Sequence, residues 1–392
     1  MTGLDEIVNW MIDGCRSAPE SGDVLTQLCD RLVAIGVPLA RGAVFVRTLH
    51  PEIMGRRFLW RLETGTEVSE AGFETFDSPD YIMSPVVRIY STATVIRRRL
   101  CDPDCPMDFP ILKDFRDQGL TDYVVAPLVF SNGEIHVATW CSAASGGFPD
   151  AAIEALDAIG RPLARVAEVR GLRRVATNLL DTYVGGQAGA RILGGKIRRG
   201  DVETIRAAIW LSDMRGFSAR ADRMPGRALI ELLNRYYDCQ VPAIRAQGGE
   251  VLKFMGDGLL AIFPTESEEA DPTPVCRRAF DAAREAEAQV AAGDWGGLEQ
   301  PGGLRFGVAL HFGDVLYGNI GSANRLDFTC IGPAVNLAAR IEKLSGEIGR
   351  TILASEDFAR HCTGASGDAR LQPVGTFALK GVTVEQTIYG LA

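Results

Sequence analysis

Residues 250–263 read EVLKF, then MGDG, then LLAIF (Glu250–Phe254, Met255–Gly258, Leu259–Phe263). Two short apolar runs flank a glycine-bracketed aspartate, the pattern of two β-strands joined by a tight turn. Upstream, TIRAAIWLSD (Thr204–Asp213) predicts another strand. A helix is expected from about Arg227 to Ala246, with Leu229, Leu232, Leu233, Tyr236 and Tyr237 inward. Downstream come an acidic loop, a helix (Val275–Ala291), two strands (Leu304–Phe312 and Arg325–Ile331) and a helix (Pro333–Leu344). This order is β-α-β-β-α-β with additions, the split-βαβ or ferredoxin-like arrangement.

Two carboxylates fall at the ends of these strands. Asp213 closes the first strand, before Met-Arg-Gly, and Asp257 sits in the turn between the next two. If the first and second strands lie adjacent and antiparallel, both acids share one sheet edge. Beside Gly216, Gly256 and Gly258, such a pair can hold two hard divalent cations, the geometry of in-line phosphoryl displacement. Both are equally ordinary turn residues, since Asp is common in turns.

The first half has a different rhythm. Leu4, Ile7, Val8, Met11, Ile12 and Cys15 fall on one helical face, and Val24, Leu25, Leu28, Leu32 and Val33 on another. GAVFVRT (Gly42–Thr48) and RFLWRLE (Arg57–Glu63) alternate like strands. YVVAPLVF (Tyr123–Phe130) and EIHVATWC (Glu134–Cys141) flank Asn132-Gly133, which predicts a hairpin with positive φ at both turn residues. Residues 1–150 are therefore expected to form a mixed domain around an antiparallel sheet. Ile153, Leu156, Ile159, Leu163, Val166, Val169, Leu172, Val175 and Leu179 then form an apolar stripe. It suits a dimerising helix or one that packs on its own domain. Pro162 and Gly171 argue against a single rigid rod, and the glycines between Gly185 and Gly200 predict a hinge. The expected division is 1–150, a helical linker over 151–202, and 203–392, in an α+β chain.

Composition narrows the function. The chain has 392 residues, 46% apolar and 23% charged, which excludes wholesale disorder. Lys and Arg total 41 against 50 Asp and Glu, a net charge of −9 that disfavours nucleic acid and anionic membrane as partners. The N-terminus reads as no export signal and no apolar run reaches membrane-spanning length, so a cytoplasmic location with reduced cysteines is expected. Cys101 and Cys105 are a close pair without further ligands nearby, a weak zinc signal. GGQAGARILGGK (Gly185–Lys196) lacks the order of a phosphate-binding P-loop. His311, in a strand, reads as a packed histidine rather than a base, and Arg215 as a loop residue or a phosphate ligand.

LSDMRGFS (Leu211–Ser218), GGEVLKFMGDGLLAIF (Gly248–Phe263) and GVALHFGDVLYGNIGSANRLDFTCIGPAVNLAARIEKL (Gly307–Leu344) resemble the class III adenylate/guanylate cyclase catalytic domain. The resemblance runs from about Thr204 to the C-terminus, including LKGVTVEQTIYGL (Leu379–Leu391). It implies that Asp213, Asp257 and the Met214 carbonyl ligate two Mg²⁺ or Mn²⁺ ions, which activate the ribose 3′-OH and neutralise the pyrophosphate. It implies that Asn336 orients the ribose, Arg340 meets charge on the α-phosphate, and Lys380 contacts the phosphates. It further implies that Lys253 and Thr329, the adenylate-type pair, read the base. Lysine donates to a ring nitrogen of adenine, and the guanine N1–H faces it donor to donor, so ATP is favoured over GTP. The family's site spans two chains, and this chain carries both halves, so a homodimer is implied. Pro333 stands where many relatives have Asp, and Leu211 where Phe is usual; neither removes a polar site position.

The N-terminal half resembles a GAF-type sensor in its helix–strand order, the APLVFSNGEIHVATWC hairpin and GFPDAAIEALDAIGRPLA. That implies a regulatory domain with an unidentified small ligand. Cys101, Cys105, His50 and His136 are candidates for haem or thiol sensing, or are structural. The expected function is an adenylate cyclase making 3′,5′-cyclic AMP and pyrophosphate. The alternatives are a cyclase using GTP or a pyrimidine triphosphate, and a non-catalytic sensor.

Overall fold

A computed structural model of the chain describes residues 3–295, 303–362 and 371–391. The chain divides into two compact units, Met1–Leu179 and Leu180–Ala392.

The N-terminal unit begins with two amphipathic helices, α1 (Gly3–Ile12) and α2 (Ser21–Ala34). Its strands are β1 (Arg41–Arg47), β2 (Ile53–Arg61), β3 (Gly65–Gly72), β4 (Ile96–Arg98), β5 (Asp122–Val129) and β6 (Ile135–Ser142). Between β3 and β4 lie α3 (Pro79–Ile82) and α4 (Pro85–Thr92), and between β4 and β5 lies α5 (Ile111–Asp117). The six strands form an antiparallel sheet in the order β3-β2-β1-β6-β5-β4. Alternation sorts its side chains onto two cores. Val124, Ala138 and Trp140 pack with α1, α2 and the helix α6 (Asp150–Tyr183). Val125, Val137 and Cys141 face α4 and α5.

Two expectations change here. The β5–β6 loop takes positive φ at Gly133 alone, while the Asn132 Oδ1 accepts the Glu134 N–H at 2.9 Å. The turn therefore closes through an Asx bond across a longer loop, not through two left-handed residues. Pro162 and Gly171 do not interrupt α6, which runs for 34 residues. Burial of Ile159, Leu163 and Val166 around the proline offsets its cost of about 3 kcal/mol in a helix. The fully buried Asp122 is satisfied by Arg97 at 2.7 Å and by the Phe148 N–H at 3.0 Å.

The C-terminal unit opens with α7 (Gly186–Leu193) and the long strand β7 (Val202–Met214). Then follow α8 (Phe217–Ala221), α9 (Gly226–Asp238), α10 (Val241–Ala246), β8 (Glu250–Met255), β9 (Gly258–Pro264) and α11 (Thr273–Ala292). The remainder is β10 (Phe306–Ser322), β11 (Arg325–Ile331), α12 (Pro333–Ile348), β12 (Ile352–Ser355), α13 (Glu356–Cys362), β13 (Leu371–Phe377) and β14 (Gln386–Leu391). The single helix expected over 227–246 is two helices, because Pro242 cannot continue the first and Gln240 turns inward to accept the Ser212 hydroxyl at 2.6 Å.

The sheet order is β13-β14-β12-β10-β7-β9-β8, with β11 paired to β10. β9, not β8, lies beside β7, with Ser212 opposite Leu259. Trp210, Leu259, Ala261, Phe263 and Leu310 form one core against α9–α11 and α13. Ile209, Leu260, Ile262 and Tyr317 face α7 and α12. Burying each such side chain contributes about 1.5–3 kcal/mol. Among the described residues no helix is long and apolar enough to cross a membrane.

Candidate active site

β7 and β9 run antiparallel, so the end of β7 stands beside the start of β9. That places Asp213, the penultimate residue of β7, against the Met255–Gly258 turn that holds Asp257. The two carboxyl groups are close enough for Asp257 to oppose ionisation of Asp213. The expected adjacency of β7 and β8 is not found, yet the acids still meet, because the turn belongs to β9 as much as to β8.

Each part of this corner has a cause. Gly256 takes φ +71°, the left-handed region that glycine enters without cost. A Cβ on Gly258 would lie 3.2 Å from the Ser212 carbonyl and 3.4 Å from Asp213 Oδ1, so a side chain there would crowd the carboxylate. The Tyr237 hydroxyl, on α9, donates to the Gly256 carbonyl at 2.5 Å, and its ring centroid lies 4.4 Å from that of Phe254. Tyr237 thus braces the turn from below. Burial, with Asp257 and Asp213 nearby, pushes its pKa up to about 12.

Arg215 sits 2.7 Å from the Glu342 carboxylate on α12 and donates to the Glu342 carbonyl at 3.0 Å. A Cβ on Gly307 would fall on this guanidinium, so glycine there gives it passage. Arg215 therefore ties the β7 end to α12. Burial holds Glu342 above the usual carboxylate range despite Arg215. Burial, then Asp257, then Glu342 raise Asp213 to about 7.

A buried acid kept from ionising by a neighbouring carboxylate forms a place for positive charge. Among the described residues no cluster of three or more His, Cys, Asp and Glu marks a complete protein cage. Mg²⁺ does not require one, since it takes one or two carboxylates and completes its shell with water and phosphate oxygens. The donor set fits a hard divalent cation shared with a nucleotide. The Met214 side chain is buried in the core, which leaves its backbone as the group on offer.

The remaining candidates lie on other elements. Lys253 is on β8 and pairs with Asp327 on β11. Thr329 is two residues further along β11, half-buried, opposite Gly318. Asn336 and Arg340 are four apart on α12, exposed and half-exposed. Lys380 is exposed in the loop before β14. Among the described residues no hydrogen bond or ion pair joins Asp213 or Asp257 to any of these five. The acids meet within one chain without a direct bond to the base, ribose or phosphate candidates among the described residues.

Tyr237, the Arg215–Glu342 tie and Asp327 were missed from the sequence. Tyr237 reads there only as an apolar face, and Arg215–Glu342 joins distant segments. Asp327 carried a usable signal, since strand alternation puts it on the face of Thr329. His311 is buried, its Nδ1 2.7 Å from Ser355 Oγ, with burial pushing its pKa down to about 4, as a packed neutral histidine requires. His136 is buried with Nδ1 accepting the Arg47 N–H at 3.0 Å. All nine cysteines are free thiols.

Residues 202–392 match the family described as the adenylate and guanylate cyclase catalytic domain. This part of the chain is a class III cyclase catalytic domain. The cyclase domain is 31% identical over 167 residues to an adenylate cyclase of Anabaena cylindrica, covering 42% of this chain and 32% of that one. It is 31% identical over 196 residues to the terminal-differentiation specific adenylate cyclase of Dictyostelium discoideum, covering 48% of this chain and 9% of that one. The match thus spans less than a third of either relative. Among solved structures, the adenylyl cyclase CyaB from P. aeruginosa is similar at 24% identity and a TM-score of 0.42, covering 49% of this chain and 95% of that one. The guanylyl cyclase Cya2 is similar at 28% identity and a TM-score of 0.37, covering 49% and 93%.

Proposed function

We propose that the chain is a homodimeric adenylate cyclase, converting ATP to 3′,5′-cyclic AMP and pyrophosphate under control of its N-terminal unit. The observation that carries this reading is the Asp213–Asp257 corner within a cyclase domain. In the reaction the ribose 3′-oxygen bonds to the α-phosphorus, the bond to the bridging oxygen breaks, pyrophosphate leaves and the 3′-proton passes to solvent. Asp213, Asp257 and the Met214 carbonyl would hold two Mg²⁺ or Mn²⁺ ions, which would supply Lewis-acid activation of the 3′-OH and charge neutralisation on the phosphates. Asn336 orients the ribose. Arg340 meets the charge that grows on the α-phosphate, a preorganised contact whose loss costs about 3–4 kcal/mol of barrier. Lys380 steadies the phosphates. Lys253 donates to a ring nitrogen of adenine while Thr329 accepts from its exocyclic amine.

That no hydrogen bond or ion pair among the described residues joins the two residue sets is consistent with a shared site, in which the acids of one protomer face the base and ribose residues of its partner. The strands that carry Lys253 and Thr329 also expose Phe254, Met255, Leu326 and Ile331, apolar area suited to a second copy. The exposed Val169 and Leu172 on α6 extend the same support to the helical linker over 151–202.

The strand order of the N-terminal unit and its helices on both faces support a GAF-like sensor over 1–150. A cavity of about 660 Å³ is lined by Arg41, Arg47, Tyr90, Tyr123 and Thr139. The buried Thr139 hydroxyl has no hydrogen-bond partner among the described residues, as a polar ligand subsite requires.

Purified protein is incubated with Mn²⁺ and each of ATP, GTP, CTP and UTP, and the products are identified by mass. Cyclic AMP as the dominant product is expected. A different cyclic nucleotide, or none, contradicts the reading. Replacing both base readers (Lys253→Glu with Thr329→Cys) should weaken use of ATP.

A further inference from the structure

β11 presents more than Thr329 to its open face. Phe328 and Cys330 are buried in the core behind the sheet, so Asp327, Thr329 and Ile331 project to the other side. Asp327 and Thr329 are therefore neighbours on one face, about 7 Å apart along the strand. Lys253 reaches across from β8 and forms its ion pair with Asp327. The two side chains are 44% and 50% exposed, and a pair so open to water adds little to stability.

We propose that Asp327 is a specificity-determining residue of the cyclase site, fixing the Lys253 ammonium beside Thr329 so that the purine edge meets a set donor next to a set acceptor. This rests on Lys253 and Thr329 reading the base. An unrestrained lysine is a point charge on a four-carbon stem and can turn its N–H groups toward any acceptor in reach. Such a group donates as readily to the O6 of guanine as to a ring nitrogen of adenine. Held by Asp327, the ammonium spends one N–H on the carboxylate and its head stays in one place. The remaining N–H groups then suit an acceptor nitrogen beside an amine that Thr329 accepts. Guanine brings a ring N–H to the same spot, and that clash persists only while the lysine cannot swing aside. Loss of the carboxylate should therefore relax the choice of base more than it slows turnover.

The experiment is kcat and KM for ATP and for GTP, with Mn²⁺, on the full chain and on Asp327→Ala, Asp327→Asn and Asp327→Glu. The alanine variant is expected to fold with an unchanged melting temperature. Its ATP-to-GTP ratio of kcat/KM should fall about tenfold, mainly through a lower KM for GTP. Glutamate should restore most of the ratio and asparagine little of it. An unchanged ratio, or equal losses for both nucleotides, overturns the assignment of Asp327 while leaving the cyclase reading in place. A wild-type chain that uses neither nucleotide, or prefers GTP, overturns the Lys253–Thr329 reading and this inference together.

Discussion

Without a cation, burial and then Asp257 oppose ionisation of Asp213 and push its pKa up to about 7. Between 3.8 and about 7 the folded chain keeps a proton that the unfolded chain has lost. The contribution of Asp213 to stability therefore falls as pH rises through that window. Asp213→Asn cannot titrate, so in metal-free buffer its melting temperature should exceed that of the wild type at pH 8 and approach it near pH 5. A lower melting temperature at pH 8 contradicts the buried, like-charged setting of Asp213. A divalent cation competes with the same proton, so Mn²⁺ affinity, followed by the electron paramagnetic resonance of free Mn²⁺, should weaken below pH 7. Tyr237 acts on the neighbouring acid through the backbone. Tyr237→Phe keeps the ring against Phe254 and removes the bond to the Gly256 carbonyl, worth about 0.5–1.5 kcal/mol. Mn²⁺ affinity is expected to drop severalfold in the same titration with little change in melting. Unaltered affinity shows that the turn holds without the hydroxyl.

Strand adjacency decides whether the two acids meet, and it depends on glycines packed against the core. A Cβ on Gly249, just before β8, would lie 2.6 Å from a Phe263 ring carbon and 2.7 Å from Ile244 Cγ2. Gly249→Ala should cost about 1–3 kcal/mol, read as a lower denaturant midpoint at constant slope. No loss shows that the α10–β8 corner yields freely. At this scale much was legible in the sequence. The 3.6-residue period located α1, α2, α11 and α12, and the apolar runs located β7, β8 and β9, because each element buries a definite face. β10 was seen only in its apolar half. Its continuation through Asp314, Gly318 and Gly321 carries no long apolar run, and pairing with β7 as far as Gly318 and with β11 as far as Ser322 makes it a strand. β3 and β13 are largely unburied, so no periodicity announces them. The meeting of Asp213 and Asp257 was legible because both sit at strand ends, although β9 rather than the expected β8 lies beside β7. The bracing of that corner was not, because it comes from tertiary neighbours.

In the whole molecule, the proposed function has the acids of one copy work with the base and ribose residues of another. Asp213→Ala and Arg340→Ala lesion opposite halves of such a shared site, and each should abolish turnover alone. Mixed under conditions that exchange subunits, they form heterodimers in which one of the two sites has both lesions and the other has none. Cyclase activity of that mixture is the most direct measurement. A shared site predicts recovery toward one working site per heterodimer. A mixture that exchanges fully and stays as inactive as its parents contradicts it.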